Sequence, residues 1–329
     1  MLGALLSCGI YRLAGGEAGP WRGRYGQIGR LLLATVIGAA FGPDVIAPLQ
    51  AALLPMMVVT AVIVGAGLAL GWALARFTQL DIATALISTV PGGMPAMVAM
   101  AEERKADATV AAAIHFSRLI TILLAVPALV PLLTSTQAAP TATLLPVEPL
   151  GLWRTGVVLA LGALAGLLAV RVGVPTGDMI GPILIVGGVN LLGAGLGPLV
   201  PVLRQAAMLL IGIAVGAQMS RQSLQKLRKV ALPAAVIILV LIVMGLLLGQ
   251  GLALASSLDL ITALLSSVPG GASTMSAIAH DLGGDMRLVA ALHLARQLVI
   301  FVLVPSLLGT LLRGQRRKHI ATAKPACNE

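Results

Sequence analysis

The 329-residue chain is 58% hydrophobic and 10% charged, carries a formal net charge of +10 and has a mean hydropathy of +1.00. Those values lie far outside the soluble globular range and exclude a water-soluble enzyme or binding domain, so the chain reads as an integral membrane protein with the lipid bilayer as its first partner. Aromatics at 3% beside 38 glycines and 12 methionines suit helices packed through small residues rather than a barrel with aromatic girdles, and the expected fold class is all-α and polytopic.

In chain order, apolar segments fall at about 1 to 16, 27 to 49, 52 to 75, 80 to 101 and 109 to 133. After a linker, residues 134–150, they resume at about 151 to 172, 179 to 196, 203 to 219, 230 to 254, 260 to 280 and 287 to 312, ahead of a basic tail, 314–329. The stretch from Met1 to Ala14 is short of the roughly 20 residues a spanning helix needs. "LLSC", ending at Cys8, lacks the basic segment and apolar stretch of a lipoprotein signal. Cys8 and Cys327 sit at opposite ends of the chain and make neither a metal spacing nor a disulfide framework.

Sliding the chain on itself by 178 positions places Asp81 to Pro127 on Asp259 to Pro305 without a gap, with 20 of 47 positions identical. Two membrane repeats follow, residues 1–133 and 151–313. The same offset carries "GQIGRLLLATVIGAAF" from Gly26 onto "RQAAMLLIGIAVGAQM" from Arg204. The segment Leu152 to Val172 has no counterpart in the first repeat, which is therefore expected to lack its first helix, through a late-assigned start or a loss.

The penultimate segment of each repeat, 80 to 101 and 260 to 280, sets the relative orientation. If it crosses the bilayer the repeats are parallel; if it enters and returns as a hairpin they are inverted. With a hairpin and the linker outside, 17 Lys and Arg lie inside, three outside (Arg154, Arg204, Arg287) and two within the last segments; with a crossing the split is 12, eight and two. Basic residues favour the cytoplasmic side, so the inverted arrangement is expected, with the C-terminus in the cytoplasm. The basic loop also changes place between repeats: Tyr11 to Arg30 precedes the segment at 27 to 49, whereas Ser220 to Lys229 follows the segment at 203 to 219. Such loops explain the positive charge without direct nucleic-acid binding.

Val90-Pro91-Gly92-Gly93 and Val268-Pro269-Gly270-Gly271 should interrupt those penultimate segments, since proline removes a backbone donor and each glycine costs a helix roughly 1 kcal/mol. Unpaired backbone cannot face lipid, so both breaks belong in protein or against a wet cavity. Each is followed by a new half-helix, at Met94-Pro95 or Ala272-Ser273-Thr274, whose free amides and positive dipole end favour an anion. Ser88, Thr89, Ser266, Ser267, Ser273 and Thr274 add hydroxyls at the same depth. The ordinary alternative is a proline kink with serines bonded back to the helix. Two matched breaks in inverted halves favour a solute site instead.

His115 and Arg118, like His293 and Arg296, are three residues apart on the last segment and share a helix face. A membrane-embedded arginine costs about 2.5 to 3.5 kcal/mol on insertion scales and is expected to face the bundle or a cavity. Each is placed to cap its own break or to pair with an acid. Asp81, Asp259, Asp107 and Asp285 are the candidate partners or helix N-caps. Stapling of broken backbone and direct solute contact stand as alternatives, and the histidines could relay protons.

Four histidines, His115, His280, His293 and His319, are too few for a converging metal centre, so no enzyme, metal or cofactor is expected. A secondary transporter for a small polar or anionic solute accounts for the duplication, the breaks and the buried cations. Bundle movement of the elevator type is a hypothesis within that reading, and a coupling ion and a homo-oligomer stay open. A membrane sensor or regulator without transport is the alternative.

"LISTVPGGMPAMVAMAEE" (Leu86 to Glu103) and "LLSSVPGGASTMSAIAHD" (Leu264 to Asp281), with the His/Arg segments downstream, resemble the AbrB duplication family of bacterial membrane proteins, whose members often carry the label ammonia monooxygenase. The resemblance covers nearly the whole chain. It implies a bacterial inner-membrane protein connected with regulation of gene expression, distinct from the small DNA-binding regulator of the same name. That family's two complete halves agree with an absent first helix here.

Overall fold

A computed structural model describes residues 2–17, 22–134, 151–174, 176–196, 199–218 and 231–322. The described residues form thirteen α-helices, with a 3-10 turn and a π turn and no strand among them. The stretch read from the sequence as the first repeat supplies α1 (Leu2–Leu13), α2 (Arg22–Ala39), α3 (Ile46–Phe77), α4 (Ile82–Thr89), α5 (Met94–Glu103) and α6 (Ala108–Thr134). The second supplies α7 (Gly151–Arg171), α8 (Gly177–Val189), α9 (Pro201–Gly216), α10 (Ala231–Ala255), α11 (Leu260–Ser267), α12 (Ala272–Leu282) and α13 (Met286–Thr322). The basic loop Ser220 to Lys229 and most of the linker lie outside the described residues, as do the last seven residues.

Six helical stretches are long and apolar enough to cross a membrane: Pro43–Phe77, Ala108–Thr134, Trp153–Arg171, Gly177–Ala194, Ala231–Ala255 and Met286–Thr310. Their outward faces are apolar too. On α3, Leu54, Val58 and Val62 are exposed at four-residue spacing while Met56, Val59 and Ile63 are buried. A helix apolar on both faces is stable in lipid and not in water.

Two boundaries differ from the sequence reading by about ten residues. The division expected near residue 50 falls at 40–45, because Gly42-Pro43 ends α2 and opens a 3-10 turn over Pro43–Val45. Pro48 then sits in the first turn of α3, where its missing N–H has no helical partner to lose. The final helix continues to Thr322, through the first part of the stretch read as a tail.

Helices α1, α2, α7, α8 and α9 pack as one group, and α3 to α6 with α10 to α13 as another, joined through α2 against α12 and α13. In the first group Arg30 of α2 pairs with the buried Asp178 of α8 at 2.6 Å. Asn190, in the π turn after α8, donates to the Ala39 and Phe41 carbonyls at 3.0 and 2.7 Å.

The second group holds both broken segments. Arg104, at the end of α5, donates to the Pro305 carbonyl of α13 at 3.2 Å. Asp285, which the repeat matches to Asp107 beside that loop, lies immediately before the start of α13. Twenty residues of helix separate 285 from 305, about 30 Å at 1.5 Å per residue. The loops at 104–107 and 283–285, equivalent in sequence, thus lie near opposite ends of the apolar stretch Met286–Thr310 of α13.

Candidate functional site

Each penultimate segment is two short helices separated by four non-helical residues. Helices α4 and α11 have eight residues each, about 12 Å, against a hydrocarbon core of about 30 Å. Asp81 and Asp259 begin them as N-caps, accepting from the Thr84 and Thr262 N–H groups at 2.9 Å. Thr84 Oγ1 and Thr262 Oγ1 in turn accept the Asp107 and Asp285 N–H groups at 2.8 Å in both copies. Asp107 and Asp285 then cap α6 and α13. All four aspartates therefore serve the helix ends.

At the breaks the backbone is extended, with Val90 at φ −63°, ψ 127° and Gly271 at φ −81°, ψ 144°. The Pro-Gly-Gly glycines are absent from the residues with positive φ, so what they supply is space. A methyl on Gly92 would lie 2.6 Å from Met97, one on Gly270 would lie 2.6 Å from Met275, and one on Gly93 would lie 2.7 Å from Gln297 Nε2 of the other repeat.

The hydroxyls expected around the site are mostly spent on backbone. Ser88 and Ser266 donate to the Thr84 and Thr262 carbonyls at 2.6 and 2.7 Å. Thr89 and Ser267 reach the Gly67 and Gly245 carbonyls at 2.8 Å, and Thr274 donates to Gly271. None of these five, nor Ser273, lines the space between the breaks. Their place in the sequence suggested otherwise; a buried hydroxyl beside a helix carbonyl satisfies itself there.

Pro91, Gly92, Gly93, His115 and Arg118 of the first repeat, and Pro269, Gly270, Gly271, His293 and Arg296 of the second, do surround one cavity of about 120 Å³. Both breaks and both His/Arg pairs are brought together there. Met94 and Ala272, the expected starts of the half-helices, complete the wall with Leu119, Gln297 and Ile300, and these last three were not singled out from the sequence. Gln297 had a signal available: it is the polar residue where the first repeat has Leu119.

Among the described residues neither arginine pairs with an acid, contrary to one expectation. Arg296, 4% exposed, donates from Nη1 to the Ser266, Ser267 and Val268 carbonyls at 3.1–3.3 Å and from Nη2 to Gly270 at 3.2 Å. It closes the C-terminal end of α11, where carbonyls lack helical donors. Arg118, 7% exposed, makes one long bond, Nη2 to the Gly92 carbonyl at 3.4 Å, and its buried Nη1 has no hydrogen-bond partner. The two guanidinium charges repel across the cavity.

His115 Nε2 donates to the Ile87 carbonyl at 2.9 Å and staples α6 to α4. His293, equally buried, faces the Val289 and Val268 carbonyls without a hydrogen bond of ordinary length and angle. No group of three or more His, Cys, Asp or Glu among the described residues is arranged to hold a metal.

The chain is 24% identical over 300 residues to the "Uncharacterized protein YhjN" of Bacillus subtilis, covering 86% of this chain and 77% of that one. It is 27% identical over 243 residues to the "Putative regulator AbrB" of Escherichia coli K12, covering 72% and 68%. No solved structure matches. The family match runs over residues 1–311, under the description "Transition state regulatory protein AbrB". With that span, over an all-helical architecture with six helical stretches long and apolar enough to cross a membrane, the chain belongs to the AbrB family.

Proposed function

We propose that this protein is a secondary transporter for a small anionic or polar solute, which it binds between the two Pro-Gly-Gly breaks, and that it is not an enzyme. The observation that carries the reading is the cavity of about 120 Å³ faced by two buried guanidiniums with no carboxylate against them. An unpaired buried cation is costly, and an anion between the breaks would relieve it. The amide ends of α5 and α12 open beside the same space, as discontinuous helices do at transporter sites. Inverted repeats are supported by the positions of the 104–107 and 283–285 loops near opposite ends of the apolar stretch Met286–Thr310, and the charge split supports a cytoplasmic C-terminus in a bacterial inner-membrane protein. Division of the helices into two groups offers the parts for one bundle to move against the other.

Uptake of radiolabelled small anions into proteoliposomes tests this, with wild type beside Arg118→Ala and Arg296→Ala. The reading expects flux in wild type and its loss in Arg118→Ala. Equal flux in all three removes the arginines from the mechanism.

The relative named as a regulator favours a second reading, in which the cavity binds its solute and reports on it without moving it. Saturable solute binding with no flux would select that reading.

A further inference from the structure

We infer that the two equivalent arginines have separate roles and that the cavity takes a small monocarboxylate, held by Arg118 and Gln297. This rests on the reading of the cavity as a solute site and names the solute class.

Arg118 and Arg296 occupy the same place in the repeat, 178 residues apart, yet their surroundings differ. Arg296 has four carbonyl acceptors from its own break. Its hydrogen-bonding capacity is turned to the backbone. Arg118 has one acceptor at 3.4 Å and an empty-handed Nη1, so it is the cation with donors left to offer. A guanidinium presents two parallel N–H groups that match the two oxygens of a planar carboxylate.

The wall is asymmetric at a second place. Where the first repeat has Leu119, the second has Gln297, and both border the cavity. The Gln297 carboxamide reaches across to Gly93 of the opposite repeat, whose missing side chain leaves it room. It offers an N–H donor and an oxygen acceptor to a solute held on Arg118.

Size and charge narrow the class. A cavity of about 120 Å³ is slightly smaller than an engineered cavity of about 150 Å³ that binds benzene, so it admits an anion of a few heavy atoms. Both guanidiniums are charged, but only Arg118 keeps donors for an anion, so with Gln297 the site can satisfy the two oxygens of a carboxylate and not the four of sulfate. Leu119 and Ile300 give the wall an apolar side suited to a short hydrocarbon tail.

The test is thermal unfolding of the full-length protein in detergent, titrated with sodium propionate, sodium sulfate or sodium chloride at matched ionic strength. Propionate is expected to raise Tm with saturation, and the other two salts to leave it unmoved. Arg118→Lys keeps the charge without the planar fork and should raise the half-saturating propionate concentration about tenfold. Gln297→Leu, which repeats the residue of the first half, should raise it about fivefold. Arg296→Lys should lower the starting Tm, since it leaves the carbonyls of the second break short of donors.

Saturation by sulfate or chloride at lower concentration than propionate overturns the monocarboxylate assignment and leaves an anion site standing. Unchanged half-saturation in Arg118→Lys and Gln297→Leu, each with a wild-type starting Tm, overturns the residue assignment. Uptake of another anion with no propionate effect refutes this inference while transport survives; absence of both binding and uptake takes down the transport reading as well.

Discussion

Thr89 Oγ1 lies 2.8 Å from the Gly67 carbonyl of α3, and this one contact ties the first break to the long helix behind it. Its equivalent, Ser267 Oγ to the Gly245 carbonyl of α10, has the same length. Both require the helices to approach closely, which the glycines one turn further along permit. A methyl on Gly71 would lie 2.9 Å from the Leu86 Cα, and one on Gly249 would lie 2.7 Å from the Leu264 Cα.

Gly71→Ala and Gly249→Ala are therefore expected to destabilise the protein by about 1–3 kcal/mol through overpacking against backbone. Gly65 and Gly251 have nothing within 4 Å of an added methyl. Alanine there should be neutral or stabilising by up to about 1 kcal/mol through helix propensity. Thermal or denaturant unfolding in detergent compares the four, and equal effects would refute the close-approach argument.

Thr262 spends its hydroxyl oxygen on the Asp285 N–H at 2.8 Å, between the start of α11 and the start of α13. Thr262→Val keeps the shape and leaves that amide without its acceptor, at about 1–3 kcal/mol. Thr262→Ser should recover most of the loss. The same pair of substitutions at Thr84, which accepts from Asp107 at 2.8 Å, should behave alike.

Arg296→Ala strips four carbonyls of their donor and is expected to cost about 2–3 kcal/mol through the loss of charge-assisted hydrogen bonds. Arg118→Ala removes a single bond of 3.4 Å and should cost under about 1 kcal/mol. Unfolding of the two variants without added solute measures the difference. Equal losses would contradict the division of roles between them.

Acid should weaken the junction between the groups of helices. Arg287 reaches Asp285 at 2.7 Å and Asp44 at 2.9 Å, and also donates to the Ala40 carbonyl. Burial opposes ionisation of Asp285, but the hydrogen bonds and charge of Arg287 outweigh it and hold the carboxyl below its ordinary value of 3.8. The unfolded chain then takes up this proton more readily, so the contribution to stability is complete above 3.8 and fades as pH falls through the lower folded-state value. Asp285→Asn should flatten the fall in Tm below pH 4; an unaltered acid limb would place the titration elsewhere.

The breaks were legible because glycine, proline and arginine are expensive in an apolar helix, and the same expense recurs at a constant offset in the sequence. Asp81 and Asp259 could be read as N-caps for a similar reason, since the cap residue acts on its own next turn. The six hydroxyl-bearing residues could not be assigned in the same way. Ser88 and Ser266 face carbonyls four residues back and Thr89 faces Gly67, and whether a hydroxyl turns to its own helix, to another helix or to a cavity depends on packing that no local pattern encodes. The break between α2 and α3 was readable at Gly42-Pro43 but was masked by the apolar residues on either side. Gln297 drew no attention beside Arg296, although its mismatch with Leu119 marks where the halves of the cavity differ.

A shared site requires two halves of opposite orientation to bring their breaks to one place, and Glu103 and Asp281 report on that orientation most directly. They are equivalent by the 178-residue offset, both are exposed, and they lie in the last turns of the two half-helices α5 and α12. Single cysteines at these positions, with Cys8 and Cys327 replaced by serine, can be labelled with a membrane-impermeant maleimide in right-side-out and inverted vesicles. The expected result is labelling of Glu103→Cys from one side and Asp281→Cys from the other; labelling of both from the same side would contradict the inverted halves and with them the shared site.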